Sequence, residues 1–246
     1  MNSEPIVSVQ NLTKSFSGRR VVDGLSFQVR KGQVFALLGH NGAGKSTTID
    51  LILGLKSPDS GAAQVLGLNA AAHRRQVFER VGVQLQHTRY QPNITVEEAC
   101  IEYASLYAAP ADYPQLLEQF GLGALRKNPV AKLSGGERQK LSVVLALIGS
   151  PELVFLDVLT TGLDVAARRE VWRTLRQLKE QGLTIVLTTH YMEEAEALCD
   201  RVCMIRAGKK VIEGTVEQVV AASGQKNLEE AYLFFMGEED LLCNDF

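Results

Sequence analysis

No stretch of this 246-residue chain is apolar for long enough to cross a bilayer. Its longer apolar runs, such as Val143 to Ile148, fall far below the roughly 20 residues a spanning helix needs. Cysteine is scarce. Cys100, Cys199, Cys203 and Cys243 form no CxxC pair and no zinc-like set of spacings, which excludes a zinc module or a disulfide framework. Buried thiols in a reducing compartment are expected, although Cys199 and Cys203 could share a helical face. Neither sign of charge dominates. The formal net charge is -2 and the signs are mixed along the chain, which gives no general argument for a nucleic-acid or anionic-membrane surface. There is no internal repeat and no low-complexity segment. Met1-Asn2-Ser3-Glu4-Pro5 lacks a basic segment and an apolar stretch, so no signal peptide is expected. Any service to a membrane would come from the cytoplasm, through a partner.

What is present is the composition of an ordinary globular protein, 46% hydrophobic and 22% charged. Ile6 to Val9 reads as a strand. Ser17-Gly18-Arg19-Arg20 reads as a hairpin turn into a second strand through Leu25, Phe27 and Val29. After a turn at Lys31-Gly32, Val34 to Leu38 is a continuous apolar run, the mark of a buried parallel strand. Further strands are expected at Val81 to Leu85, Leu153 to Leu156, Thr184 to Leu187 and Arg201 to Ile205. A helix carrying Val171, Leu175 and Leu178 on one face ends near Gly182. Strands alternating with helices imply an α/β fold with a parallel core. From Val96 to Leu125 the chain reads as helical, broken by Pro110 and Pro114, and a further helix follows Ser134-Gly135-Gly136. The expected organisation is one domain over 1–246. It has an α/β core at about 1–86 and 151–220, a helical insertion at about 87–150 with hinges at its edges, a small N-terminal antiparallel β-subdomain and a helical tail at 221–246.

Gly39-His40-Asn41-Gly42-Ala43-Gly44-Lys45-Ser46-Thr47 matches GxxxxGK[ST] between a buried strand and a helix. Gly39, Gly42 and Gly44 let backbone N–H groups turn inward around phosphate oxygens. The helix start adds partial positive charge. Lys45 is expected to reach the terminal phosphates and the Ser46 hydroxyl to ligate Mg2+. Asn41 and Thr47 complete the nucleotide-binding set, and His40 is a bystander. Leu153 to Asp157 is an apolar strand ending in a carboxylate. A charge there is costly without a partner, so Asp157 is expected to be associated with Mg2+.

A phosphate loop alone would also suit a kinase or a GTPase. Leu133-Ser134-Gly135-Gly136-Glu137-Arg138-Gln139, placed between the two nucleotide motifs, resembles the signature of ATP-binding cassette (ABC) proteins. The resemblance covers nearly the whole chain and implies a P-loop NTPase fold binding ATP and Mg2+. It implies that Ser134, Gly135 and Gly136 receive the γ-phosphate of an ATP held by a second cassette subunit. Phe16 stands where the family stacks an aromatic on adenine. Gln86 stands where a glutamine senses Mg2+ and contacts the membrane partner. Thr161-Gly162-Leu163-Asp164 resembles the loop that crosses the dimer interface, and His190 matches the γ-phosphate-contacting histidine. Thr188 to Glu196 and Asn227 to Leu233 look like the ATPases of bacterial drug, antibiotic and polysaccharide exporters. There the permease is usually a separate polypeptide and the ATPase sits on the inner face of the membrane. His87-Thr88-Arg89-Tyr90-Gln91-Pro92 is the expected partner-facing stretch.

The chain departs from the family at one motif. The usual string is Asp-Glu-Pro-Thr. Here it reads Asp157-Val158-Leu159-Thr160, so Val158 occupies the position of the catalytic glutamate. Valine can neither accept a proton nor hold water. A positioned general base contributes about 10²–10⁴-fold. A homodimer would therefore turn over slowly, with His190 and Gln86 left as the reactive-site groups. In a heterodimer this chain's signature could complete a competent site on its partner. Competing readings are a non-hydrolytic ATP-binding regulatory or assembly subunit, and a soluble cassette acting in translation or DNA repair. The second is disfavoured because such proteins usually carry tandem cassettes or long insertions.

Overall fold

The computed structural model describes residues 4–85, 90–160 and 162–237. In chain order it forms β1 (Val7–Phe16), β2 (Arg19–Val29), β3 (Val34–Leu38), α1 (Lys45–Ile52), β4 (Ser60–Val65) and α2 (Arg74–Phe78). There follow β5 (Val81–Gln84), α3 (Val96–Ala104), α4 (Tyr113–Gln119), α5 (Gly135–Leu147), β6 (Leu153–Asp157) and α6 (Val165–Glu180). The chain continues through β7 (Thr184–Thr189), α7 (Met192–Leu198), β8 (Arg201–Arg206), β9 (Lys209–Gly214), α8 (Val216–Ser223) and α9 (Leu228–Met236). No helix of the described residues is long and apolar enough to cross a membrane.

The chain divides into two compact units, Met1–Val77 with Val186–Phe246, and Phe78–Ile185. In the first unit, β2, β1 and β4 form an antiparallel sheet. Its register sets Val9 opposite Phe27, and Val7 between Val29 and Val65. That alternation turns Val7, Val9, Leu12, Leu25 and Phe27 into the core. Phe27 stacks on Phe35 with ring centroids 5.2 Å apart, which joins this sheet to β3. β3 runs parallel to β8, with Leu37 opposite Cys203, and every β3 residue is buried. β9 runs antiparallel to β8, which makes the core sheet mixed where a parallel one was expected.

The second unit holds the parallel pair β5–β6, with Val83 opposite Phe155, and the helices α3 to α6. α5 approaches β5 so closely that a Cβ at Gly82 would overlap the Ala146 carbonyl. α3 begins with a Thr95–Glu98 capping box, and α4 begins at Asp112, whose side chain accepts from Gln115 N. Pro114 lies in the first turn of α4, so it starts this helix and does not break it. Cys199 ends α7 while Cys203 lies within β8, so these cysteines share no helical face. Burial pushes the Cys100 and Cys203 thiols up to about 12, which leaves both inert at neutral pH.

Candidate functional site

The phosphate loop lies in the first unit, where β3 hands the chain to α1. Gly44 is the N-cap of α1, with φ 104°, a conformation open to glycine and costly for any side chain. The requirement is also steric, because a Cβ there would strike the Val21 carbonyl of β2. A Cβ on Gly39 would lie 2.5 Å from the Ile205 carbonyl of β8. The back of the loop is stitched to its scaffold by main-chain bonds. Gly208 N donates to Ala43 O (3.0 Å), and Asp23 N donates to Gly208 O (2.9 Å).

α1 has no side-chain cap and no acidic residue in its first turn. A helix start without a capping oxygen or a carboxylate keeps its partial positive charge for an external anion. Lys45 is only 6% exposed, and its Nζ donates to the carbonyls of Gly39 (2.7 Å) and His40 (2.9 Å). Those bonds offset the cost of burying an ammonium group and hold it inside the curve of the loop. The half-buried Ser46 and Thr47 follow within the first turn, while Asn41 and Gly42 are exposed. His40 Nδ1 bonds to the carbonyl of Asn41 (2.7 Å).

In the same unit, Phe16 ends β1 and is 41% exposed. Lys14 Nζ and Lys56 Nζ lie 5.6 Å and 5.5 Å from the ring centroid. Each ammonium is also ion-paired, Lys14 to Asp59 and Lys56 to Asp50, both at 2.8 Å. His190 follows β7, half-buried, with its ring centroid 4.1 Å from that of Tyr191. Tyr191 N donates to Thr189 Oγ1 (2.9 Å), which fixes the exit of the chain from the strand.

In the second unit, β6 ends at Asp157, 4% exposed. Val158 follows with φ 57°, in the left-handed region where a β-branched side chain is an outlier. The signature motif forms the start of α5. Ser134 Oγ accepts from Glu137 N (3.2 Å), and a Glu137 carboxylate oxygen accepts from Ser134 N (2.8 Å). The bond from Ser134 N holds the Glu137 carboxyl below the usual range. The Ser134 hydroxyl is the acceptor in this box, so its own proton remains a donor.

The signature glycines have different surroundings. A Cβ on Gly136 would lie 3.0 Å from a Leu163 methyl and 3.4 Å from the Gly162 carbonyl. A Cβ on Gly135 would meet no described atom within 4 Å. Gly136 therefore packs closely within the chain, whereas nothing described in the chain crowds Gly135. Asp164 caps α6, its carboxylate accepting from Ala167 N (2.8 Å). That structural task was not expected of it. Gln86 and His87-Thr88-Arg89, together with Thr161, lie outside the described residues. Tyr90, at the end of the expected partner-facing stretch, is bonded through its hydroxyl to Ser142 Oγ (3.0 Å) on α5.

Among the described residues no cluster of three or more His, Cys, Asp or Glu side chains could hold a metal ion. Mg2+ does not require one, since one or two protein oxygens and the substrate's phosphates usually complete its shell. Taken singly, the Ser46 hydroxyl in the first unit and the Asp157 carboxylate in the second are hard oxygen donors. Gln139 also has a role that its place in the signature did not disclose. Its Nε2 donates to the carbonyls of Val158 (3.0 Å) and Leu159 (2.9 Å). The sequence carried the residue but no pattern that would reveal a bond across 19 positions.

Comparisons with known proteins identify the family. A family model described as ABC transporter matches residues 22–161. The chain is 42% identical over 237 residues to the "Nod factor export ATP-binding protein I" of Ralstonia nicotianae, covering 94% of this chain and 74% of that protein. It is 40% identical over 231 residues to the protein of the same description from Burkholderia pseudomallei, covering 92% and 76%. A solved structure described as an ATP binding subunit of an ABC transporter superposes with a TM-score of 0.86 at 29% identity, covering 94% of this chain and 99% of that one.

Proposed function

The chain belongs to the ABC transporter family, as an ATP-binding domain, and from that premise we propose that it powers export through a separate membrane permease. The observation that carries the nucleotide role is the α1 start. It combines a side-chain-free N-cap, a first turn without carboxylates and an ammonium held by two loop carbonyls. Lys45 and the loop amides grip the β- and γ-phosphates, Ser46 and Asp157 serve the Mg2+, and Phe16 supports the base. Export is supported by the relatives described as export ATP-binding proteins. Such a subunit works at the cytoplasmic face of the membrane, bound to its permease.

A second cassette, a copy of this chain or a homologue, places its nucleotide against Ser134, Gly135 and Gly136. Support comes from Gly135. Gly135 opens α5 directly after its Ser134 cap, and no described atom explains its presence. An external ligand approaching that backbone does. His190 contacts the γ-phosphate.

Hydrolysis at this chain's own phosphate loop is slow, because Val158 supplies no base. The missing group raises the barrier by about 3–5 kcal/mol and leaves binding intact. Titration of the purified chain with Mg-ATP tests the first claim. Lys45→Ala is expected to weaken affinity about 10- to 100-fold, the worth of charge-assisted bonds to phosphate, and unchanged affinity would refute it. Single-turnover hydrolysis by Val158→Glu tests the second, since equally fast rates in both chains would end the idea of impaired chemistry.

A further inference from the structure

Val158 is held in a conformation its side chain disfavours. A β-branched residue in the left-handed region costs about 1–3 kcal/mol and persists only where its surroundings over-determine it. Here the φ is 57°, and the following residues, Leu159 and Thr160, are 0% and 1% exposed. The left-handed turn brings the consecutive carbonyls of Val158 and Leu159 within reach of one donor. That donor is Gln139, whose amide nitrogen bonds to both at 3.0 and 2.9 Å. A single Nε2 carries two hydrogens, so both are committed to this segment.

Gln139 is itself well anchored. It lies one turn into α5, whose start is locked by the Ser134–Glu137 box and whose middle is tied to Tyr90 through Ser142. Gly136 on the same helix packs against Gly162 and Leu163, a few residues beyond Val158. The first turns of α5 thus grip the chain after β6 through a side-chain amide at 158–159 and close backbone packing at 162–163.

We propose that Gln139 is the positioning residue that fixes the direction of the side chain at 158, and so ties the chemical competence of that position to the signature helix. This rests on the reading that residue 158 stands where the family carries its water-activating carboxylate. A glutamate placed there is useful only if the backbone aims it, and the aim is set by two hydrogen bonds from a helix whose N-terminus faces the second nucleotide.

The test compares Val158→Glu with Val158→Glu/Gln139→Leu and Val158→Glu/Gln139→Glu in steady-state phosphate release by the full chain. The second double variant keeps the shape of Gln139 and removes its donors. Val158→Glu is expected to raise kcat at least tenfold. Each change at 139 should then lower kcat at least tenfold while KM for ATP stays within twofold. A double variant that keeps the full gain overturns the proposal. Amide hydrogen exchange over 153–163 in Gln139→Glu and Gln139→Leu provides a readout independent of turnover. Exchange at 159–160 should quicken at least tenfold, with the rest of α5 unchanged. If Val158→Glu gains nothing while exchange quickens, the general-base reading fails and Gln139 still positions the segment. If exchange is unaltered, the positioning role falls whatever the turnover.

Discussion

α1 and α5 begin in opposite ways, although both starts are assigned to the same kind of ligand. α1 opens on a glycine with no capping side chain and no carboxylate in its first turn. α5 opens on a complete capping box with Glu137 seated against its own N-terminal amide. A helix start attracts phosphate through its exposed N–H groups and its partial positive charge. The first start devotes both to the ligand. The second has already met part of its polarity within the chain, and keeps the Ser134 hydroxyl proton and the open backbone at Gly135. Under the proposed assignment, the first would hold a triphosphate alone and the second would add contacts to a phosphate held elsewhere. Nucleotide affinity in the isolated chain should therefore follow α1, and association between chains should follow α5.

The largest way to break this contrast is at the N-cap of α1. Gly44→Ala adds a left-handed penalty to a collision with the Val21 carbonyl. It should cost about 2–4 kcal/mol of stability, measured by urea unfolding, together with nucleotide binding. A fully stable variant would show that the loop tolerates another path.

Much of that loop was legible in the sequence, because GxxxxGK[ST] between an apolar strand and a helix has few physical solutions. The apolar runs also placed β3, β5, β6, β7 and β8 to within two residues. β4 and β9 were not foreseen. Ser60–Val65 is mostly exposed and opens on Ser-Gly, and Lys209–Gly214 opens on Lys-Lys, so neither shows an apolar run although both pair in a sheet. Pro114 was misread because proline both breaks helices and starts them, and only the Asp112 cap decides which. The left-handed Val158 and its bond to Gln139 left no trace in sequence pattern, since they depend on tertiary neighbours.

Ser134→Ala, next in size, removes the acceptor of Glu137 N. It should cost about 1 kcal/mol in denaturant unfolding, the usual worth of an N-cap, with nucleotide affinity of the isolated chain unchanged. A loss of that affinity would erase the distinction between the two helix starts.

A still smaller change separates the glycines. Gly135→Ala should leave stability within about 0.5 kcal/mol of the parent, while in Gly136→Ala the Leu163 methyl, 3.0 Å from the new Cβ, must give way, which should cost about 1 kcal/mol. Only the first should weaken ATP-driven association, read by light scattering, without weakening the fold. If ATP-driven association survives Gly135→Ala undiminished, the open side of that residue has no ligand.

The smallest effect is one of pH. The folded-state Glu137 carboxyl titrates below its ordinary value because the Ser134 amide bonds to it. Its contribution is therefore fully present above the unfolded-state value and lost as pH falls through the lower folded-state one. In Glu137→Gln the dependence of stability on pH below about 4.5 should be shallower than in the parent, measured by thermal melting across the acid range. Identical slopes would mean the carboxylate adds nothing to the cap.

The stitching of the phosphate loop has a kinetic consequence. Gly208 bonds to Ala43 on one side and to Asp23 on the other, so the loop is backed by a strand turn and a neighbouring sheet. A binding surface already fixed in this way loses little freedom when its ligand arrives. ATP held there would therefore dock at a rate set by encounter, without waiting for a mobile segment to settle, and the time it stays would reflect how many contacts must break together.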